Sequence, residues 1–142
     1  LENRMDRLVE FADNNSLLVV ALLVSWVGVI FYEIKRKATL ITQVSTTDAV
    51  RLINNGAIII DVRPIDHYQE GHIVNSKNIA LDNIQRDKNI PKKKNKPLLT
   101  VCENGINSGK AANLLRQAGF ESVFSLKGGL KQWRTDSMTL VK

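Results

Sequence analysis

Residues 98–115 read LLTVCENGINSGKAANLL and contain the only cysteine of the chain, Cys102. An apolar run ends at this cysteine, a short polar segment with Gly105 follows, and a helical pattern then begins. The apolar run, opened by Pro97, is typical of a buried strand over residues 97–102. The stretch therefore predicts a strand, a tight loop and a helix, with Cys102 at the end of the strand.

Further apolar runs predict the other strands of a sheet. The run AIIID (57–61) is continuous and ends in an aspartate, which is typical of a strand buried on both faces. Because ligands bind at the carboxyl ends of parallel strands, we expect Asp61 and Cys102 at the same edge of the sheet. Shorter strands are expected at 39–44, 77–81 and 122–126.

Two helices are predicted between the strands. The first, STTDAVRLINNG (45–56), has Thr46 or Thr47 as its N-cap. The second, GKAANLLRQAG (109–119), has Ser108 as its N-cap. Strands and helices in this alternation predict an α/β domain with a central, mainly parallel sheet flanked by helices.

The beginning of the chain carries a different pattern. Residues 17–32 read LLVVALLVSWVGVIFY, sixteen residues without a charge, of which eleven are Leu, Val, Ile or Phe. Moving those side chains to the middle of a bilayer is favourable by about 3–7 kcal/mol in total. A helix over residues 15–34, at ~1.5 Å per residue, covers the ~30 Å hydrocarbon core. We therefore expect one transmembrane helix at 15–34, preceded by a short N-terminal segment at 1–14.

Two other interpretations of the apolar segment compete with a permanent span. A buried helix of a soluble protein would show a polar stripe, and a cleavable signal peptide would have a basic start and a small-residue cleavage site. Neither feature is present. Three basic residues, 35–37, directly follow the segment, whereas only Arg4 and Arg7 precede it. The positive-inside rule therefore predicts a cytoplasmic domain after the span, where a free cysteine stays reduced.

Composition limits the remaining chemistry. The formal net charge is +6, and four of the positive charges lie in PKKKNKP (91–97). This segment predicts a solvated loop or, alternatively, a contact with nucleic acid or acidic lipid; it has no interleaved aromatic residues, so we expect no nucleic-acid partner. His67 and His72 lie at least 30 residues from Cys102, and no spacing resembles a zinc site. We expect neither a metal nor a cofactor.

The loop after Cys102 has two interpretations when it is considered alone. A helix N-terminus and a tight turn at Gly105 direct N–H groups inward and favour an anion, which suits a thiolate or a persulfide. An unreactive cysteine buried at a strand end is the alternative. The pattern argues against a cysteine phosphatase, because C-x5-R needs an arginine where this chain has Ser108.

Three motifs and the cysteine loop together resemble the rhodanese-like domain family. The motifs are DVRPIDHYQEGHI (61–73), KNI (77–79) and AGFESVFSLKGGLKQW (118–133). With the apolar segment in front, the chain is similar to bacterial single-domain rhodaneses anchored in the inner membrane. The resemblance implies a rhodanese-like domain at 40–136, and leaves a basic juxtamembrane linker at 35–39 and a C-terminal tail at 137–142.

The resemblance also implies sulfur transfer. Cys102 would take a sulfane sulfur from thiosulfate or a protein persulfide, hold it as a persulfide, and pass it to a thiol or a cyanide-like acceptor. Asp61 and Arg63 would support the pocket near the sulfur. The backbone amides that would bind the substrate are those of Glu103, Asn104, Gly105, Ile106, Asn107 and Ser108.

The chain departs from the family pattern in this loop. Many active members carry arginines there, whereas this chain has Glu103 and Asn107, so we expect weak binding of dianionic thiosulfate and a preference for neutral, cationic or protein donors. His67 stands where the family has a glutamate that pairs with Arg63. Since the family also contains binding modules, the second hypothesis is a catalytically weak domain that binds a membrane protein partner.

Overall fold

The computed structural model describes residues 2–40 and 42–142, with only the backbone described for residues 2 and 36–40. Contacts divide the chain into two compact units, Leu1–Ala38 and Thr39–Lys142. Helix α1 (Glu2–Asn14) belongs to the first unit, and α2 (Ser16–Leu40) begins there. The predicted domain limits at 35–39, 40–136 and 137–142 stay predictions.

Helix α2 contains the long apolar segment. Its stretch Ser16–Lys35 is 20 residues long with a mean hydropathy of 2.4, and none of its most apolar window is buried. By length and composition this helix could cross a membrane, and a signal sequence near an N-terminus shares those properties.

The second unit is built on a five-stranded sheet in which every pair of neighbouring strands is parallel. The strands are β1 (Gln43–Val44), β2 (Ile58–Asp61), β3 (Lys77–Asn78), β4 (Leu98–Val101) and β5 (Val123–Leu126). Their order in the sheet is β1-β5-β4-β2-β3, so β4 lies in the middle. The predicted α/β architecture with a parallel sheet is confirmed. Of the strand predicted at 39–44, residues 39 and 40 end α2 and residue 41 lies outside the described residues; β3 is shorter than the strand predicted at 77–81.

The helices of this unit begin at residues other than those predicted. The N-cap of the first is Ser45, whose Oγ accepts the Asp48 N–H at 3.2 Å, and not Thr46 or Thr47. The helix after the cysteine loop starts at Ile106, with Gly105 in place of Ser108 as its N-cap, because the left-handed φ of +91° at that glycine turns the chain early. The helices are α3 (Thr46–Asn54), α4 (Ile65–Glu70), α5 (Ile106–Gln117) and α6 (Gly129–Thr135), with a 3-10 turn at Leu81–Asn83.

The core lies on both faces of the sheet because side chains alternate along each strand. Leu98 of β4 joins the cluster beneath α5, together with Ala111 and Leu115 of that helix. The next residue, Leu99, joins the opposite cluster, which contains Trp133 of α6. All four residues of β4 are buried, which explains the uninterrupted apolar run in the sequence.

Candidate functional site

The ends of two adjacent strands position the site. Cys102 directly follows β4, and β2 ends at Asp61, whose register partner on β4 is Val101. Both strands run in the same direction, so Asp61 and Cys102 lie at the carboxyl edge of the sheet. The buried Thr100 joins this edge to α5, because its hydroxyl donates to the carbonyl of Ser108 at 2.9 Å.

The sulfur of Cys102 lies against the first turn of α5. The Gly105 N–H donates a hydrogen bond to Sγ at 3.0 Å, and the hydroxyl of Ser108 lies 3.4 Å from Sγ. The residue is 3% exposed. A backbone N–H directed at a sulfur stabilises its anionic forms, so this contact suits a thiolate or a persulfide. The cysteine is nevertheless buried, and the sulfur belongs to the core cluster beneath α5.

The loop between Cys102 and α5 is held by a side chain within it. The Asn104 Oδ1 accepts the N–H of Ile106 at 3.1 Å and lies 3.8 Å from the sulfur. One of the six predicted loop amides, that of Gly105, therefore contacts Sγ, and one, that of Ile106, is bonded to Asn104. The part that the loop amides take in binding a substrate stays a prediction.

Helix α6 holds the other side of the loop. The N–H groups of Leu130 and Lys131 donate to the carbonyls of Cys102 and Glu103 at 2.9 and 3.0 Å. In a trans peptide the carbonyl and the following N–H point in opposite directions, so the amides of Glu103 and Asn104 point away from α6. The helix terminus thus sets the orientation of the backbone beside the sulfur.

Gly129 makes this close approach feasible. Its φ is +61°, and a Cβ at this position would lie 2.6 Å from the carbonyl oxygen of Glu103 and would also collide with the carbonyl of Cys102. No other residue fits here without displacing the loop or the helix. The absence of a side chain at Gly129 thus allows α6 to approach the cysteine loop.

A buried ion pair supports the site from β2. Arg63 is 4% and Asp61 is 1% exposed. The guanidinium Nε lies 3.0 and 3.1 Å from the two carboxylate oxygens of Asp61, and Nη2 donates to Oδ2 at 2.7 Å. The same Nη2 donates to the carbonyl of Gly71 at 2.7 Å, which ties the end of α4 to the strand. Burial alone would lower the pKa of Arg63, but the hydrogen bond and the charge of Asp61 outweigh it and raise that pKa.

Glu103 completes the charge arrangement. One of its carboxylate oxygens lies 3.4 Å from Nη1 of Arg63, and the other accepts a hydrogen bond from Nη1 of Arg134. The hydrogen bond from Arg134, assisted by the charges of both arginines, lowers the pKa of Glu103. The two carboxylates and two guanidiniums therefore balance to zero net charge next to the sulfur.

This arrangement revises the interpretation of the loop. From the sequence, Glu103 was an unbalanced negative charge and Arg63 lacked its usual partner, because His67 occupies that position. In the structure Glu103 itself pairs with Arg63, and His67 is exposed on α4. Arg134 is not among the predicted site residues, because it lies 31 residues from Glu103 in the chain and no local spacing indicates the pair.

The segment after α4 is held in place by ring stacking and by backbone contacts. His72 stacks on Tyr68 with 3.9 Å between ring centroids, and its Nδ1 lies 3.0 Å from the Tyr68 carbonyl. Its backbone pairs with Val141, so the C-terminal residues close over this segment. Asn75 has a φ of +62°, a left-handed conformation that asparagine adopts more readily than most residues.

Comparison with known proteins agrees with this geometry. A family model described as "Rhodanese-like domain" matches residues 45–136. "Uncharacterized protein YibN" of Escherichia coli (strain K12) is 30% identical over 141 residues, which cover 97% of this chain and 99% of that protein.

A named enzyme and a solved structure are also similar. "Thiosulfate sulfurtransferase GlpE" of Coxiella burnetii (strain RSA 331) is 36% identical over 98 residues, which cover 68% of this chain and 91% of that protein. A rhodanese-related protein from Thermoplasma volcanium has the same fold, with a TM-score of 0.63 at 24% identity over 70% of this chain and 96% of that chain. The chain, with its cysteine at the head of α5 and its parallel sheet, therefore belongs to the rhodanese-like domain family.

Proposed function

We propose that this chain is a membrane-anchored sulfurtransferase that carries sulfane sulfur on Cys102. The observation that carries the proposal is the Gly105 N–H directed at Sγ at 3.0 Å, at the head of a helix. A persulfide anion on Cys102 needs hydrogen-bond donors of this kind, because the nearby guanidiniums of Arg63 and Arg134 already pair with carboxylates. The relationship to GlpE, whose name states a thiosulfate sulfurtransferase, supports the same reaction class.

The reaction consists of two balanced displacements. The thiolate of Cys102 attacks the outer sulfur of the donor, an S–S bond forms, and the donor leaves with the electron pair of its own bond; from thiosulfate this product is sulfite. A thiolate or cyanide acceptor then attacks the outer sulfur of the persulfide, and the Cys102 thiolate is released. The acceptor leaves as a persulfide or as thiocyanate. No external oxidant or reductant enters either step.

The loop supplies the binding groups in this proposal. Backbone amides of Glu103, Asn104, Gly105, Ile106, Asn107 and Ser108 hold the outer sulfur or the donor, and the Asp61–Arg63 pair keeps the loop in place through Glu103. Because Arg63 and Arg134 pair with carboxylates, neither guanidinium is free to bind a dianion. A neutral donor, or a persulfide on another protein, fits better than thiosulfate.

The location is part of the proposal. In this proposal helix α2 anchors the chain as a single span in the inner membrane of a bacterium, and the basic residues 35–37 support a cytoplasmic position of the rhodanese-like domain. The length and hydropathy of Ser16–Lys35 support the span.

A binding module is the second candidate function. The 3% exposure of Cys102 favours it, because a donor must reach a sulfur that the loop covers. In this case the carboxyl edge would serve as a docking surface for a membrane protein partner, and the thiol would have a minor part or none.

Mass spectrometry of the purified full chain distinguishes the two functions. We expect incubation with thiosulfate, or more rapidly with a small alkyl persulfide (RSSH) that leaves as a thiol, to add one sulfur atom to Cys102, and cyanide to remove it as thiocyanate. The near-isosteric Cys102→Ser variant should fold normally and gain no sulfur. If the folded wild-type chain gains no sulfur from either donor, the transferase is excluded and the binding module is the better account.

A further inference from the structure

The positive charge of the chain is concentrated in one loop. Residues 1–38 carry five positive and five negative side chains, so the net charge of +6 belongs to residues 39–142. Within that unit residues 86–96, here called the basic loop, contain six Lys or Arg residues and one acid, Asp87. One segment of eleven residues therefore accounts for five of the six net charges.

The cations of the basic loop are exposed and lack carboxylate partners. Among the side chains that the structure describes, none of the six forms an ion pair with an acid. Asp87 is occupied locally, since its Oδ1 accepts the N–H of Asn89 at 2.7 Å. Lys94 is the one lysine with a structural task, because its Nζ donates to the carbonyl of Ala118 at the end of α5 at 2.6 Å. The other cations are Arg86, Lys88, Lys92, Lys93 and Lys96.

The basic loop is fixed to the core at both ends. Ile84, just before it, is 1% exposed, and Leu98, just after it, is 0% exposed. Ile90 packs against the same core cluster from within the loop. The positive charges therefore stand on an anchored segment with a defined place on the domain.

Topology places this loop at the edge from which the chain enters the sheet. The basic loop leads into the amino end of β4, and the chain from α2 leads into the amino end of β1. All strands are parallel, so both connections lie at the amino edge, opposite Cys102. In the order β1-β5-β4 the two strands are separated by about 10 Å at ~4.8 Å per strand.

We propose that the basic loop docks on the anionic headgroups of the bilayer that α2 crosses. The inference rests on the proposed membrane anchor, and it does not depend on sulfur transfer. From Lys37 to Gln43 the chain advances by six residues, which reach about 20 Å at most, so only a short connection joins the proposed span to β1. Clusters of four to eight basic residues close to a span bind anionic lipid in this way. A nucleic acid is the weaker candidate, because residues 86–96 contain no aromatic side chain to stack on a base.

Fluorescence quenching in lipid nanodiscs tests the proposal with the full chain. In a Cys102→Ser background, a fluorophore is attached at Asn95→Cys in the basic loop or at Gln69→Cys on α4, and the lipid headgroups carry a nitroxide quencher. We expect strong quenching at position 95 and weak quenching at position 69 in discs that contain phosphatidylglycerol. The difference should disappear in pure phosphatidylcholine and at about 1 M salt, where the Debye length falls to ~3 Å.

Charge variants provide the matched control. Replacement of Lys92, Lys93 and Lys96 by glutamine should abolish the quenching at position 95. These substitutions retain the hydrogen bond from Lys94 to the carbonyl of Ala118 at the end of α5. Replacement of three exposed lysines elsewhere, Lys127, Lys131 and Lys142, should leave it unchanged.

Three results would overturn the proposal. They are equal quenching at the two positions, quenching that does not depend on anionic lipid, and binding of the wild-type chain to duplex DNA or RNA but not to anionic discs. Sodium carbonate extraction of bacterial membranes that contain the full chain tests the anchor. If the chain is extracted, it has no transmembrane span, and the proposal of lipid docking fails as well. Sulfur loading of the wild-type chain is measured separately, and its failure leaves lipid docking intact.

Discussion

The two edges of the parallel sheet differ in whether their charged side chains form ion pairs. At the carboxyl edge, Asp61, Arg63, Glu103 and Arg134 pair with one another and balance to zero around Cys102. At the amino edge, the basic loop presents exposed cations without carboxylate partners among the described side chains. The net charge of the chain therefore says little about the charge around Cys102. The unpaired positive side chains of the basic loop lie at one edge and the cysteine lies at the other.

Burial explains the difference. Arg63 and Asp61 are almost completely buried, and a buried charge without a partner costs several kcal/mol, so these two groups must pair. The lysines of the basic loop stay in water, where an unpaired charge costs almost nothing. The charged side chains at the carboxyl edge therefore stabilise the fold, and those at the amino edge remain available to contact another charged surface.

The largest expected effect is on stability at the carboxyl edge. Arg63→Met should destabilise the domain by about 3–5 kcal/mol, because it leaves the Asp61 carboxylate buried and unpaired. The double variant with Asp61→Asn should recover part of this loss. Chemical unfolding of the full chain in detergent, followed by the fluorescence of buried Trp133 in a Trp26→Phe background, measures both.

The amino edge supplies the control for this prediction. Glutamine at Lys92, Lys93 and Lys96 should change the free energy of unfolding by no more than about 0.5 kcal/mol per site, because these side chains are exposed. A loss in this variant as large as that of Arg63→Met would show that the two edges do not differ as described.

The second prediction concerns the backbone at the carboxyl edge. Gly129→Ala should destabilise the domain by about 2 kcal/mol or more and slow sulfur loading of Cys102, because the new Cβ meets the carbonyls of the cysteine loop at a positive φ. The matched control is Gly109→Ala in α5, where a Cβ meets nothing within 4 Å. That variant should be stabilised by roughly 0.5–1 kcal/mol, since alanine favours a helix. Equal effects of the two substitutions would contradict the close approach of α6.

The smallest expected effect is on donor preference. Glu103→Gln leaves the charge of Arg134 unbalanced beside the cysteine loop, so we expect the KM for thiosulfate to fall about two- to five-fold at low salt, since such a charge is worth about 1 kcal/mol or less in water. Arg134→Gln should raise it. Steady-state kinetics with the alkyl persulfide provide the control, because its KM should change less than that of dianionic thiosulfate in either variant.

The pH dependence of the difference in KM between wild type and Glu103→Gln gives a further test of the charge on Glu103. Because the hydrogen bond from Arg134 lowers the pKa of Glu103 from its ordinary value, wild-type Glu103 stays charged at neutral pH, and the difference from Glu103→Gln should be constant there. It should shrink only as the pH falls through the lowered pKa, where the wild-type side chain also becomes neutral. A difference that vanishes near neutral pH would show that Glu103 is not held by the two arginines.

Local patterns were sufficient to predict much of this protein. The run ending at Cys102, the run ending at Asp61 and the helix between the later strands all reflect side-chain periodicity and turn residues, which act over a few neighbouring positions. The same reasoning identified a segment at 15–34 that could cross a membrane, because length and hydropathy are also local. Helix starts were less accurate, since Ser45 and Gly105 begin their helices earlier than the predicted caps.

The sequence alone was sufficient to predict the alternation of strands and helices, the parallel sheet and the position of Cys102 at a strand end. The pairing of charges at the site could be seen only in the folded domain, because Glu103 pairs with Arg63, 40 positions before it, and with Arg134, 31 positions after it. It also decided that α6 orients the loop carbonyls through the N–H groups of Leu130 and Lys131. Such contacts form only when distant segments fold together, and side chains far apart in the chain leave no periodic signal of their pairing.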